Sequence, residues 1–159
     1  MKQMSSVVRT ITKIAFGPIF IFGAYIVLHG HLTPGGGFQG GAIIASVLAL
    51  YLVAFGAEKW NKKLLTTLES VGLISFASAG LLGLTAGYFF FNFLAGSDIP
   101  LFNLTVPSME GFIHPNWAPL FSSGTVSVMN LSVGLEVVAG LTLVMVAMGL
   151  FSFANKEVE

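Results

Sequence analysis

Cysteine is absent from all 159 residues, so the chain can form no disulfide and ligate no iron–sulfur cluster or haem through a thiolate. Any electron transfer coupled to this chain must take place in a partner, and no cofactor is expected in the chain itself. Charge is equally scarce. Only 9% of residues are Asp, Glu, Lys or Arg, against 55% apolar, and the mean hydropathy is +0.87. A chain of that composition cannot cover itself with polar surface as a soluble domain does, so it is read as a membrane protein. The seven basic residues are scattered at the ends of apolar runs and form no continuous basic groove, which excludes nucleic-acid binding.

What is present is length of apolar sequence. A hydrocarbon core of about 30 Å needs about 20 apolar residues in a helix. Four segments qualify, near Ile11 to Leu28, Phe38 to Ala57, Leu65 to Leu94 and Val126 to Ala154. The expected fold is therefore all-α, a polytopic bundle of four transmembrane helices forming a single domain over residues 1–159, with one long connection over about 95–125. Lys2, Arg9 and Lys13 precede the first helix, Lys59, Lys62 and Lys63 separate the second and third, and Lys156 follows the fourth. The other two connections contain no Lys or Arg. Basic residues near helix ends stay on the cytoplasmic side, so both termini are expected there. The amino-terminal segment is longer than a signal-peptide core and runs into His29-Gly30-His31 instead of a small-residue cleavage site, so it is read as a retained helix.

Within the helices, Gly17-Pro18 predicts a local kink in the first, with a neighbour packed against the carbonyl that proline leaves free. Gly41, Ala45 and Ala49 in the second and Gly72, Ser75, Ala79, Gly83 and Gly87 in the third form small-residue stripes of the kind that let lipid-embedded helices approach closely. The run Phe89 to Phe91 is expected against lipid or a neighbouring chain. The long connection holds Pro100, Pro107, Pro115 and Pro119 among apolar residues, so it is expected along the membrane interface or a partner.

Three features carry candidate chemistry. Glu136 falls well inside the fourth apolar run, where a charge facing lipid costs on the order of 3 kcal/mol, so it is expected to face protein, a cavity or a partner. It is a candidate ion or proton relay, as is Asn130, with a structural hydrogen bond to a neighbouring chain as the alternative reading for Glu136; Asn130 and Ser132 lie on its approach. His29, His31 and His114 are all expected on the outer side, where His29 and His31 are candidate proton-transfer groups. With no cysteine and few acids nearby, no metal site is expected. Glu69, near the start of the third helix and close to Lys62 and Lys63, reads as a solvated cap or surface ion pair.

The remaining feature is Gly30-His31-Leu32-Thr33-Pro34-Gly35-Gly36-Gly37-Phe38-Gln39-Gly40-Gly41. It satisfies the G-x-G-x-x-G spacing of dinucleotide-binding loops formally, but that loop needs a preceding strand and a βαβ unit, whereas a spanning helix precedes it here. The glycines are read instead as a turn begun by Pro34 that lets the chain re-enter the membrane. The pattern G-H-x-x-P-G-G-G-F-x-G-G, met here by Gly30, His31, Pro34, Gly35, Gly36, Gly37, Phe38, Gly40 and Gly41, resembles the MnhB (also called MrpB) family of Mrp-type cation/proton antiporter components. The chain departs from the typical pattern at Gln39, at Asn130, and over Val133-Gly134-Leu135-Glu136.

The resemblance implies a non-redox accessory subunit of a large hetero-oligomeric complex in the cell membrane that exchanges sodium for protons. Its partners would be other Mrp-type membrane subunits. Related chains occur in the membrane arms of archaeal membrane-bound hydrogenases and sulfane reductases, where a peripheral redox module would be a further partner; both assemblies stay open at this point. A chain without ion contact, acting as a structural adaptor between antiporter-like subunits, is the alternative reading. A self-sufficient enzyme is excluded by the lack of any nucleophile–base constellation.

Overall fold

A computed structural model describes residues 4–32, 35–56, 60–94 and 124–154, with side chains through Leu150. The described residues form four α-helices and no strand: α1 Ser6–Leu28, α2 Gly36–Phe55, α3 Lys62–Leu82 and α4 Thr125–Ala154. Each is long and apolar enough to cross a membrane. The fold class read from the sequence is thus correct, while three helix starts and one helix end shift. Ser5 accepts a hydrogen bond from the Val8 N–H and starts α1 five residues before Ile11. Asn61 caps α3 in the same way through the Leu64 N–H, so that helix begins at Lys62. The α2 helix starts at Gly36 and not at Phe38.

The largest difference lies at the end of α3, which stops well short of the Leu94 that hydropathy predicts. Gly80, Gly83 and Gly87 fall within eight residues and weaken the helix. The last turn tightens into a 3₁₀ segment, Gly83–Ala86, and Gly87 leaves it at a φ of 121°. The chain then folds back. The Phe90 N–H donates to the Gly80 carbonyl, and the Phe90 ring lies over Gly80 and 5.7 Å from the Phe76 ring. Of the expected small-residue stripe, Gly72 and Ala79 are packed, whereas Gly87 faces open space. Beyond this turn, the Asn92 side-chain oxygen accepts from both the N–H and the hydroxyl of Thr125, at 2.8 and 2.6 Å, and so satisfies an unpaired amide in the first turn of α4.

The helices do not close into a ring. Contacts run from α1 to α2, from α2 to α4 and from α4 to α3, with a minor touch between α1 and α4 and none between α2 and α3. The spatial order α1–α2–α4–α3 is an open row. In lipid such a row costs little, because exposed leucine is no worse off there than in a core. Isoleucine and phenylalanine line its outside: Ile14 is 71% and Ile21 70% exposed on α1, and Ile74 is 65% exposed on α3. The helix α1 runs through Pro18 unbroken, and both Pro18 and Ile14, whose carbonyl lies opposite the missing amide, are exposed. The neighbour expected against that side is not supplied by the described residues.

Polar side chains inside the helices mostly close on their own backbone. Thr12, Ser132 and Thr142 donate to the carbonyls of Val8, Val128 and Val138, four residues earlier, at 2.6 to 2.9 Å. Each thereby enters an apolar medium without an unsatisfied hydroxyl proton. At the end of the molecule that carries Ser6 and Phe55, Lys13 lies 5.8 Å from the Phe55 ring centre, and Tyr51 packs against Phe16, Phe55 and Trp60. An aromatic cluster with a cation at its edge suits a membrane–water boundary.

Candidate functional site

The glycine motif is less a turn than a pair of contact faces. Among its described residues only Gly35 has the left-handed backbone angle, with a φ of 79°, that a turn demands. Gly36, Gly37, Gly40 and Gly41 all lie in α2, and this corrects the reading of the whole motif as a re-entry turn. In helical geometry, residues four apart share a face and adjacent residues point about 100° apart. Gly36 and Gly40 therefore form one face and Gly37 and Gly41 the next.

The first face meets α1. A β-carbon on Gly36 would run into the Gly30 Cα, and one on Gly40 would sit 2.7 Å from both the Gly23 carbonyl oxygen and the Val27 nitrogen. The second face meets α4, where a β-carbon on Gly37 would lie 2.5 Å from the Asn130 carbonyl oxygen and one on Gly41 3.0 Å from that of Gly134. Two interleaved small-residue pairs let α2 hold two helices at backbone distance at once. Phe38 and Gln39, between the pairs, are exposed.

Asn130 locks this junction. Its side-chain amide donates to the Val27 carbonyl in the last turn of α1, and its oxygen lies against Gly30 and Gly37. The Val27 carbonyl, which accepts a long bond from the Gly30 N–H at 3.3 Å as the helix ends, thus gains a second donor from a different helix, 103 residues away in sequence. His29, stacked at 4.3 Å on Tyr25, has its Nδ1 3.1 Å from the Tyr25 carbonyl. Both ring nitrogens of His31 are buried without a hydrogen-bond partner among the described residues. Pro34 and His114 lie outside the described residues. Among the described residues, no group of three His, Asp or Glu side chains could hold a metal ion.

Because α2 and α3 do not touch, a groove opens between them with α4 as its floor. At the end near the glycine motif it widens into a cavity of about 270 Å³, walled by Phe38 of α2 and Phe76 of α3 and floored by Met129 and Val133, with Asn130 and Gly35 to Gly37 at its head. Glu136 follows Val133 by three residues on the same stripe of α4, one turn beyond the cavity. It is half-buried, and its Cβ would stand 3.0 Å from a β-carbon on Gly72 of α3.

Glu69 differs from its sequence reading. It is half-buried, and its carboxylate oxygen lies 3.2 Å from where a β-carbon of Gly140 would be, so the side chain reaches across to α4. It makes no ion pair among the described residues. Glu69 and Glu136 therefore share the α3–α4 seam, each over the glycine of the opposite helix, one helical turn apart along α4. Sequence reasoning grouped Glu69 with the nearby lysines; the available signal was its place three residues before Gly72, on the same face. The structure brings Asn130 together with the glycine motif and places Glu136 apart from both histidines.

The chain matches the model of a domain related to the MnhB subunit of Na+/H+ antiporters over residues 7–143. The chain belongs to the MnhB family. An uncharacterized protein of Methanocaldococcus jannaschii is 37% identical over 76% of this chain, and the matching part is 43% of that relative's length. A protein of Staphylococcus aureus named "Putative antiporter subunit mnhB2" is 32% identical over 78% of this chain and 85% of its own length. A protein of the same name in Staphylococcus haemolyticus is 28% identical over 93% of this chain and 96% of its own. The glycine motif and the four helices are thus those of a multi-pass MnhB-family protein, in which two glycine faces and one asparagine set the α1–α2–α4 geometry.

Proposed function

We propose that this MnhB-family chain is a non-redox accessory membrane subunit of an Mrp-type Na+/H+ antiporter module, with both termini in the cytoplasm, and that Glu136 serves as a proton or cation relay. One observation carries the relay: Glu136 stands near the middle of α4, half-buried, and has no hydrogen-bond or ionic partner among the described residues. Three other polar side chains of α4, Asn130, Ser132 and Thr142, each donate to a backbone carbonyl. An acid without a partner at that depth is the usual mark of an ion route.

The groove supports an approach to it. Its head is polar, with the Asn130 amide and the first amides of α2, and its cavity ends one turn from the carboxylate. His29 and His31 lie near that head in sequence, yet neither lines the cavity. That the cavity stops short of Glu136 favours the second reading, a structural adaptor in which Glu136 only pairs with a neighbouring chain. Exchange of sodium for protons in vesicles holding the whole complex separates the two. Replacement Glu136→Gln removes the titratable group and keeps its shape; loss of exchange with all subunits retained supports the relay, and unchanged exchange assigns Glu136 to the adaptor reading. The polypeptide composition of the purified assembly separates a free antiporter from the ion-translocating arm of a membrane-bound hydrogenase or sulfane reductase. An accompanying peripheral redox module supports the latter.

A further inference from the structure

We infer that the groove between α2 and α3 seats one transmembrane helix of a companion subunit, and that this helix carries a lysine or arginine opposite Glu69 and Glu136. The inference rests on the assignment to a membrane complex, and it holds whether or not Glu136 conducts ions.

The first ground is shape. In the row α1–α2–α4–α3 both neighbours of α4 stand apart, and between them lies a trough floored by Met129 and Val133, on a helix stripe that runs on through Glu136 and Gly140 into the α3–α4 seam. Phe76, Gly72 and Glu69 form the matching stripe on α3. Phe38 forms the opposite wall and is 60% exposed, and the cavity beside it is empty of this chain's own described side chains over about 270 Å³. A trough lined by a helix on each side and a helix beneath is the natural seat of another helix.

Charge selects the occupant. Two acidic residues lie within one turn of each other along the α3–α4 seam that borders this trough, and neither has a partner among the described residues. Rises of 1.5 Å per residue put Glu69 about 10 Å beyond the start of α3 and Glu136 about 16 Å beyond the start of α4. Glu136 therefore lies deep in the hydrocarbon layer, and Glu69 lies about two turns inside the end of α3 that carries Lys62 and Lys63. The basic side chains on the described helices, Arg9, Lys13, Lys62 and Lys63, all sit within eight residues of a helix start. Arg9 and Lys13 stand on α1, which makes no contact with α3, and Lys62 and Lys63 lie about two turns from Glu69 along α3.

A lipid chain in the trough would leave two acids uncompensated. A second copy of this chain would set carboxyl against carboxyl, which low dielectric makes worse. A helix with a basic residue fills the volume and matches the charge. Such an intramembrane pair fixes register between chains, since breaking one partner strands the other in lipid.

The test uses the whole complex in its native membrane. A photo-crosslinking benzoylphenylalanine at Val133, and separately at Phe76, is activated and the adducts are sequenced by mass spectrometry. The expected adduct is a membrane span of a different polypeptide containing a Lys or Arg. The double replacement Glu69→Gln with Glu136→Gln is expected to lower its yield about tenfold or more. Val133→Trp, which fills the trough and keeps both acids, is expected to suppress the adduct from the Phe76 probe. Adducts only to lipid, to a second copy of this chain, or to a span without a basic residue overturn the inference, as does a yield indifferent to both variants. Ion exchange measured on the same membranes reports on the relay alone, so either reading can fail while the other stands.

Discussion

The two ends of the α4 surface are built on opposite plans. At the glycine motif, Gly36, Gly37, Gly40 and Gly41 bring three helices to backbone contact, and the Asn130 amide answers the Val27 carbonyl. At the α3–α4 seam, glycines again permit close approach, but the side chains they admit are two acids with no partner among the described residues. Small residues thus do two jobs in one fold: they complete the chain in one place and make room for unfinished chemistry in the other. A region whose polar groups are satisfied internally serves shape, and one whose polar groups are not depends on what binds there.

If that contrast is right, substitutions in the two regions fail differently. The largest effect is expected at Gly36. A methyl group there meets the Gly30 backbone, which cannot step aside without separating α1 from α2, so Gly36→Ala is expected to cost at least about 3 kcal/mol and to abolish accumulation of folded protein, read by detergent size exclusion. Next comes Asn130→Leu, which keeps the volume, leaves the Val27 carbonyl only its 3.3 Å bond from the Gly30 N–H and is expected to cost about 1 kcal/mol, seen as a lowered thermal midpoint of the isolated chain.

At the seam the isolated chain is expected to tolerate change that the assembly does not. Glu69→Gln with Glu136→Gln is expected to leave the isolated chain's thermal midpoint unchanged or raised, because uncompensated acids are removed, while loosening its hold on the complex in mild detergent. A loss of stability in the isolated chain would erase the contrast between the regions. The smallest effect is expected for Gly140→Ala, whose new methyl group meets only the flexible end of Glu69 at 3.2 Å; a shift within about 0.5 kcal/mol is expected in the same melting assay.

Much of this architecture was legible in the residues. Four apolar runs of sufficient length pointed to the fold class, because lipid leaves helices as the simple way to satisfy a backbone. The end of α3 was misjudged because hydropathy stays high through Phe89, Phe90 and Phe91, while Gly80, Gly83 and Gly87 decide the backbone. Gly36 and Gly37 resembled a turn by composition, and the spacing of four to Gly40 and Gly41, as two neighbouring pairs, was the cue to helix contacts on two faces. Glu136 stood out by depth alone. Glu69 did not, since proximity in sequence to Lys62 and Lys63 suggested an ion pair that a helix rise of two turns prevents. The role of Asn130 depends on a contact 103 residues away, which no local pattern encodes.

A structure of the assembled complex at side-chain resolution tests the central claim most directly, at the trough bordered by Phe38, Phe76 and Val133. The account predicts a helix of a different polypeptide there, with a lysine or arginine nitrogen within about 4 Å of a Glu69 or Glu136 oxygen. Lipid in the trough, with both carboxyl groups facing acyl chains, would contradict it.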